Sequence, residues 1–157
     1  GLENNESLEY KLLIRDIDVI AEELKKLQRQ GVPVIWRPLH EASGGWFWWG
    51  SQGPEPYKKL WRIMFQRLTK YHLLSNLIWV WNGEHKDWYP GDDVVDIVGI
   101  DFYGKKHDYS PLAEEFKKAE TYSDTYKMVA LTETGVIPDP DLIEDRYKIA
   151  MVHDLVR

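Results

Sequence analysis

The sequence predicts an α/β fold of parallel βαβ units, because short β-branched apolar runs alternate with longer segments of helical period. The runs "VPVIWRPL", "NLIWVWN", "IVGIDFY" and "MVALTET" are apolar along their length rather than alternating in polarity. That is the form of strands covered on both faces. The 157 residues, 43% hydrophobic and 29% charged, hold enough apolar mass for one core. No repeat, low-complexity tract or linker divides them, so one domain over residues 1–157 is expected.

Tyr10, Leu13, Ile14, Ile17, Ile20, Ala21, Leu24 and Leu27 recur at spacings of three and four, which predicts an amphipathic helix ending before Gly31. "VPVIWRPL" is the first strand. Tyr57, Leu60, Trp61, Met64, Phe65, Leu68 and Tyr71 restore the helical period, and Asn76 to Asn82 forms the second strand. Ile97 to Tyr103 is the third. Ser110 and Pro111 offer an N-cap and a first-turn proline for a helix reaching about Tyr122, before the fourth strand from Met128 to Thr134. A last helix is expected from near Pro140, turning Leu142, Ile143, Tyr147, Ala150 and Val152 inward.

Twenty basic against 26 acidic residues leave a formal charge of −6, with no basic cluster, so a nucleic-acid partner is not expected and a neutral ligand fits better. The absence of cysteine removes disulfides, thiolate metal sites and a thiol nucleophile. No apolar run approaches the ~20 residues of a membrane span, and the N-terminal "GLENNESLEY" has no signal-peptide pattern.

In folds of parallel strands and helices the chemistry sits at the C-terminal ends of the strands. Glu41 follows the first strand, Asn82 and Glu84 the second, Asp101 and Tyr103 close the third, and Glu133 closes the fourth. A strand-end glutamate on its own is more often a solvated or capping residue. Two at one mouth form the pair that cleaves glycosidic bonds, one carboxylic acid protonating the leaving oxygen while the other carboxylate attacks or activates water. Trp46, Phe47, Trp48 and Trp49 fit that reading, since sugar rings stack their C–H faces on flat indoles. Four consecutive aromatics cannot all face one core. His40 beside Glu41 resembles a zinc helix, but the position four residues on is Gly44, so no metal is expected. Arg37 shares strand parity with Glu41 and reads as the partner of a buried carboxylate. Asp101 and Tyr103 share a face, where an ordinary hydrogen-bonded pair is the simpler reading. Glu84, His85 and Lys86 read as a solvated loop, and His107 and His153 carry no signal.

"RPLHEASGGWFWWG", "VDIVGIDFYG" and "ALTETG", in this order, resemble glycoside hydrolase family 26, the β-mannanases built on the TIM barrel. The resemblance covers nearly the whole chain and fades after Pro140. It implies a retaining endo-β-1,4-mannanase with Glu41 as acid/base at the end of the fourth barrel strand and Glu133 as nucleophile at the end of the seventh. It also implies that His40 contacts the sugar hydroxyl nearest the reacting carbon. Tyr103 would orient the nucleophile with Asp101 as its companion, Arg37 would support the carboxylates, and Trp46 would line the cleft beside the scissile bond. The implied partner is β-mannan or a related polysaccharide, without cofactor, nucleic acid or membrane, and the implied location is secreted or extracellular. Xylan or mixed-linkage glucan as substrate, and a non-catalytic carbohydrate-binding module, remain as alternatives.

A whole TIM barrel has eight strands in about 250 residues, against four strands here. The chain therefore reads as a fragment covering about strands four to seven, at most eight. Such a fragment is expected to be inactive alone, and to lean on the missing barrel half or to self-associate.

Overall fold

The computed structural model describes residues 2, 6–105, 107 and 110–136. Helix α1 (Leu8–Arg29) starts at Ser7, whose hydroxyl accepts the Tyr10 N–H at 3.2 Å. Glu9 in its first turn and Lys26 and Arg29 in its last complement the helix dipole. Gln30 caps it, and Gly31 then takes a left-handed φ of 70°. The buried stripe is narrower than the period suggests. Ile17, Ala21 and Leu24 are buried, while Ile20 and Leu27 face solvent, because only one side of α1 joins the core.

Strand β1 (Val34–Trp36) is shorter than the run "VPVIWRPL", since Pro33 and Pro38 have no N–H to give to a ladder. Helix α2 (Pro54–Gln66) opens with Pro54 in its first turn and passes into a single π-helical turn, Arg67–Tyr71. Strands β2 (Leu77–Trp81) and β3 (Ile97–Gly104) follow. Helix α3 (Ala113–Glu120) begins later than Ser110 and Pro111 suggest, because its first helical bond is Phe116 N–H to the Leu112 carbonyl. Strand β4 (Met128–Val136) ends the described sheet. The helix expected from Pro140 lies outside the described residues.

The four strands are all parallel, stand in chain order β1-β2-β3-β4, and curl into half a barrel. The core fills the space between the convex face and the helices. Trp61 and Trp79 meet there edge to face at 5.7 Å, and the buried Trp61 indole donates to the Val94 carbonyl at 3.2 Å. Alternation turns Ile78, Val80 and Asn82 of β2 and its end to the concave side. The expectation that every strand is covered on both faces fails at β1, where Ile35 is 71% exposed. It lies on an edge strand and on the concave side of an open sheet.

The β3–β4 register carries one irregularity that sets up the site. The ladder runs from Ile97↔Met128 to Ile100↔Leu131 and resumes at Asp101↔Glu133, leaving Thr132 as an extra residue. Without this bulge, alternation would send Glu133 to the convex side with Val129 and Leu131, which pack on the core. With it, Thr132 and Glu133 both reach the concave mouth.

Trp61→Ala is expected to cost about 3–5 kcal/mol, because a fully buried indole leaves a cavity. Urea unfolding of the full-length protein checks this. Tyr126→Ala, at a site 93% exposed, should shift stability by less than about 0.5 kcal/mol.

Candidate active site

Arg37 lies just beyond β1, and its guanidinium collects the ends of the other strands. Nη1 donates to Asp101 Oδ2 at 2.9 Å and Oδ1 at 3.2 Å, and reaches Asn82 Oδ1 at 3.4 Å. Nη2 donates to Glu133 Oε2 at 2.6 Å. The Asp101 side chain is 1% exposed and also accepts from the Thr132 hydroxyl at 2.8 Å, so the bulge residue fastens the same carboxylate. The Tyr103 hydroxyl donates to Glu133 Oε1. Arg37, Asp101, Tyr103 and Glu133 thus form one network, in which Asp101 pairs with Arg37 and Tyr103 with Glu133. The simpler reading of Asp101 and Tyr103 as a pair with each other is not what forms.

Glu41 is not in register with a strand. It adopts a left-handed conformation (φ 50°, ψ 38°) at the start of a 3-10 turn, Ala42–Gly44. Its parity with Arg37 therefore has no structural meaning, and Arg37 serves Asp101 and Glu133 instead. The fully buried Asn82 holds this turn in place. Its carbonyl and its side-chain Oδ1 accept the Glu41 N–H at 2.7 and 3.0 Å, and its Nδ2 donates to the Gly99 carbonyl at 3.3 Å. A residue strained into αL over a buried amide fits a functional position better than a structural one.

The aromatic loop divides its labour. Trp46 folds back so that its indole N–H donates to Glu41 Oε2 at 3.0 Å, with the ring 62% exposed. Gly44 permits this, since a Cβ there would collide with the Trp46 ring. Phe47 stacks on Trp49 at 4.3 Å, and both rings flank His40. The Trp49 indole donates to the His40 carbonyl at 2.8 Å, so these two rings fix the backbone just before Glu41. Trp48 turns the other way, into a groove shared with Tyr10, Leu13 and Leu60.

Glu84 differs from its reading as part of a solvated loop. It is half-buried, has a left-handed φ of 61°, and brings a carboxylate oxygen within 4.8 Å of oxygens of Glu41 and Asp101. His85 and Lys86 do stay at the surface. The Asp101 oxygens accept from Arg37 and Thr132 and a Glu41 oxygen accepts from Trp46, so two of these three carboxyl groups are already engaged with protein donors. Asn82, Glu84 and Thr132 are the site residues whose roles the sequence left unread. A signal existed for Thr132 alone, because strict alternation along "MVALTET" is incompatible with an inward Glu133.

A sequence model of glycosyl hydrolase family 26 matches residues 1–154. The chain belongs to this family. It is 47% identical over 144 residues to a mannan endo-1,4-beta-mannosidase of Thermothelomyces thermophilus, covering 92% of this chain and 30% of that protein. Among solved structures it resembles a GH26-CBM35 beta-(1,4)-mannanase of Podospora anserina, at 49% identity and a TM-score of 0.79. That match covers 94% of this chain and 33% of the other. A beta-mannanase from a symbiotic protist of the termite Reticulitermes speratus, complexed with gluco-manno-oligosaccharide, aligns at 43% identity with a TM-score of 0.81, over 88% and 43% of the two chains. The family 26 chain described here thus spans between 30% and 43% of the length of these relatives.

The charges of this family 26 site are sorted by their surroundings. The Tyr103 hydroxyl first, and then the Arg37 guanidinium, hold Glu133 below the usual carboxylate range against the opposing effect of burial. Tyr103 in turn is pushed up to about 12 by its bond to Glu133. Burial raises Asp101 in spite of Thr132 and Arg37. Burial lowers Arg37, but Glu133 and Asp101 outweigh it and the net direction is upward. Glu84 is pushed up to about 7, first by burial and then by the charges of Asp101, Glu41 and Glu133.

Tyr103→Phe should therefore raise the titration midpoint of Glu133. The stability that an ionised Glu133 contributes is present above the unfolded carboxylate value and is lost as pH falls through the folded one. The variant should lose it at higher pH than the parent. Carbon-detected NMR titration of labelled glutamate side chains reads the midpoint, and an unmoved Glu133 would remove Tyr103 from this role.

Proposed function

We propose that the chain carries the two catalytic carboxyl groups of a retaining endo-β-1,4-mannanase. The observation that carries this reading is the unequal support of Glu133 and Glu41. Glu133 accepts from a phenol and a guanidinium, which keep it anionic, and among the described residues Glu41 accepts only an indole N–H, on a loop that also presents an exposed ring. An anion held by fixed donors suits a nucleophile, and a loosely held carboxyl beside a stacking surface suits an acid that must give up and regain a proton. The names of the relatives support mannan as the substrate.

In the first step Glu133 bonds to the anomeric carbon while the glycosidic oxygen leaves with its electron pair and takes the proton of Glu41. In the second, Glu41 removes a proton from water, whose oxygen bonds to the anomeric carbon and releases Glu133. Arg37 holds Glu133 aligned through both steps. His40, with its ring set by Phe47 and Trp49, contacts the sugar hydroxyl next to the reacting carbon, and Trp46 stacks on the ring beside the scissile bond. Further strands cover Ile35, Ile78 and Met128 on the concave side and complete the cleft. A polymeric substrate too large to enter a cell fits a secreted enzyme.

In the full-length protein, Glu133→Ala should abolish turnover of every substrate. Glu41→Ala should lower mannan hydrolysis by about 10²–10⁴-fold while sparing aryl glycosides with good leaving groups. Azide should restore turnover to one of the two variants. Assays on mannan, xylan and mixed-linkage glucan, with NMR of the first anomer released, check substrate and retention together. Two variants that kept most of their mannanase activity would reduce the site to a sugar-binding surface.

Trp46→Ala should lower kcat/KM on mannan by roughly tenfold, about 1.4 kcal/mol, through lost stacking and the lost indole donor to Glu41. Its thermal midpoint should stay near that of the parent, because the ring is exposed. A large fall in midpoint with unchanged kinetics would make Trp46 a core residue.

A further inference from the structure

Glu84 is held more firmly than a surface loop requires. Its backbone is left-handed, a conformation that strains a non-glycine residue. Its carbonyl accepts the hydroxyl of Tyr122 at 3.0 Å, and that tyrosine is buried edge-on against Trp81 at 5.6 Å. The preceding Gly83 lies so close to the Trp81 indole that a Cβ there would collide with it. The left-handed turn and these two contacts fix the backbone at Glu84, whose carboxyl group lies at the mouth beside Glu41 and Asp101. Asp101 is committed to Arg37 and Thr132, whereas the Glu84 carboxyl has no hydrogen-bonding side chain among the described residues.

We propose that Glu84 is a positioning residue that shares a proton with Glu41, so that the pair keeps one proton to higher pH than a lone carboxyl would. This rests on Glu41 being the acid/base. Two carboxyl groups at this distance repel when both are ionised, so the pair is reluctant to lose its last proton. The groups facing Glu84 are Glu41 from the loop after β1, Asp101 from β3, Glu133 from β4 and Lys118 from α3. Three of the four are acidic, and their charges add to the burial that is the first cause of the upward push on Glu84 to about 7. During the reaction the glycosidic oxygen takes one proton from the pair and water returns one, so the proton count is restored at each turnover.

The test is the pH dependence of kcat/KM on mannan for the full-length protein and for Glu84→Gln, which keeps the shape and removes the charge. The alkaline limb should move down by about half to one pH unit, the effect of one like charge at this distance in wet surroundings. The acid limb, set by Glu133, should stay in place, and Glu84→Asp should bring back part of the alkaline shift. An alkaline limb at its original position in Glu84→Gln, or a uniform loss at all pH without movement, overturns the proposal. The reading beneath it is tested apart: Glu41→Ala should erase the alkaline limb on activated aryl substrates. A limb that survives in Glu41→Ala removes the acid assignment, and this proposal with it. A limb erased in Glu41→Ala but unmoved in Glu84→Gln removes this proposal alone.

Discussion

The Arg37 guanidinium divides itself between Asp101 on β3 and Glu133 on β4 while reaching Asn82 at the end of β2, and the geometry of the mouth hangs on that division. Every strand of the described sheet ends on this cation or carries it. A buried carboxylate such as Asp101, with its side chain 1% exposed, is tolerable only beside a counter-charge. Arginine suits the task because its planar fork offers several donors in fixed directions, which a lysine cannot do. The guanidinium therefore both answers the charge of Asp101 and sets the orientation of Glu133.

Two departures from regular structure turn this frame into a site. The bulge at Thr132 rotates Glu133 from the core side to the mouth, and its hydroxyl then ties itself to Asp101. The left-handed turn at Glu41 lifts a second glutamate out of register, braced by Asn82 beneath and Trp46 above. Both cost backbone regularity, and in both a buried polar side chain from a neighbouring strand supplies the compensating bonds. The aromatic loop adds rigidity through Phe47 and Trp49 while leaving Trp46 exposed beside Glu41.

Much of the frame was legible from local pattern. The period of α1, the buried run of β2 and the order of parallel strands follow from residues close together in the chain, and the strand-end rule drew Glu41, Asp101, Tyr103 and Glu133 to one mouth. The errors lie where long-range contact overrides local preference. β1 is shorter and more open than its apolar run implies because prolines bound it and its concave face is uncovered among the described residues. The start of α3 after Ser110 and Pro111 is a local difference instead, its first helical bond forming at Leu112. Glu84 looked solvated because its neighbours His85 and Lys86 are, and the Tyr122 hydroxyl that holds it comes from 38 positions away.

The sequence by itself determined the fold class, the family and the residue types at the mouth, since these depend on period, composition and contiguous motifs. Only the tertiary structure decided which donor serves which carboxylate. Arg37 and Glu133 stand 96 positions apart, and no local pattern states whether that arginine pairs with Glu41, Asp101 or Glu133. A one-residue bulge settles it, by choosing which face of β4 Glu133 occupies, and the Thr132 hydroxyl fastens that bulge to Asp101 and the Ile100 carbonyl across the ladder.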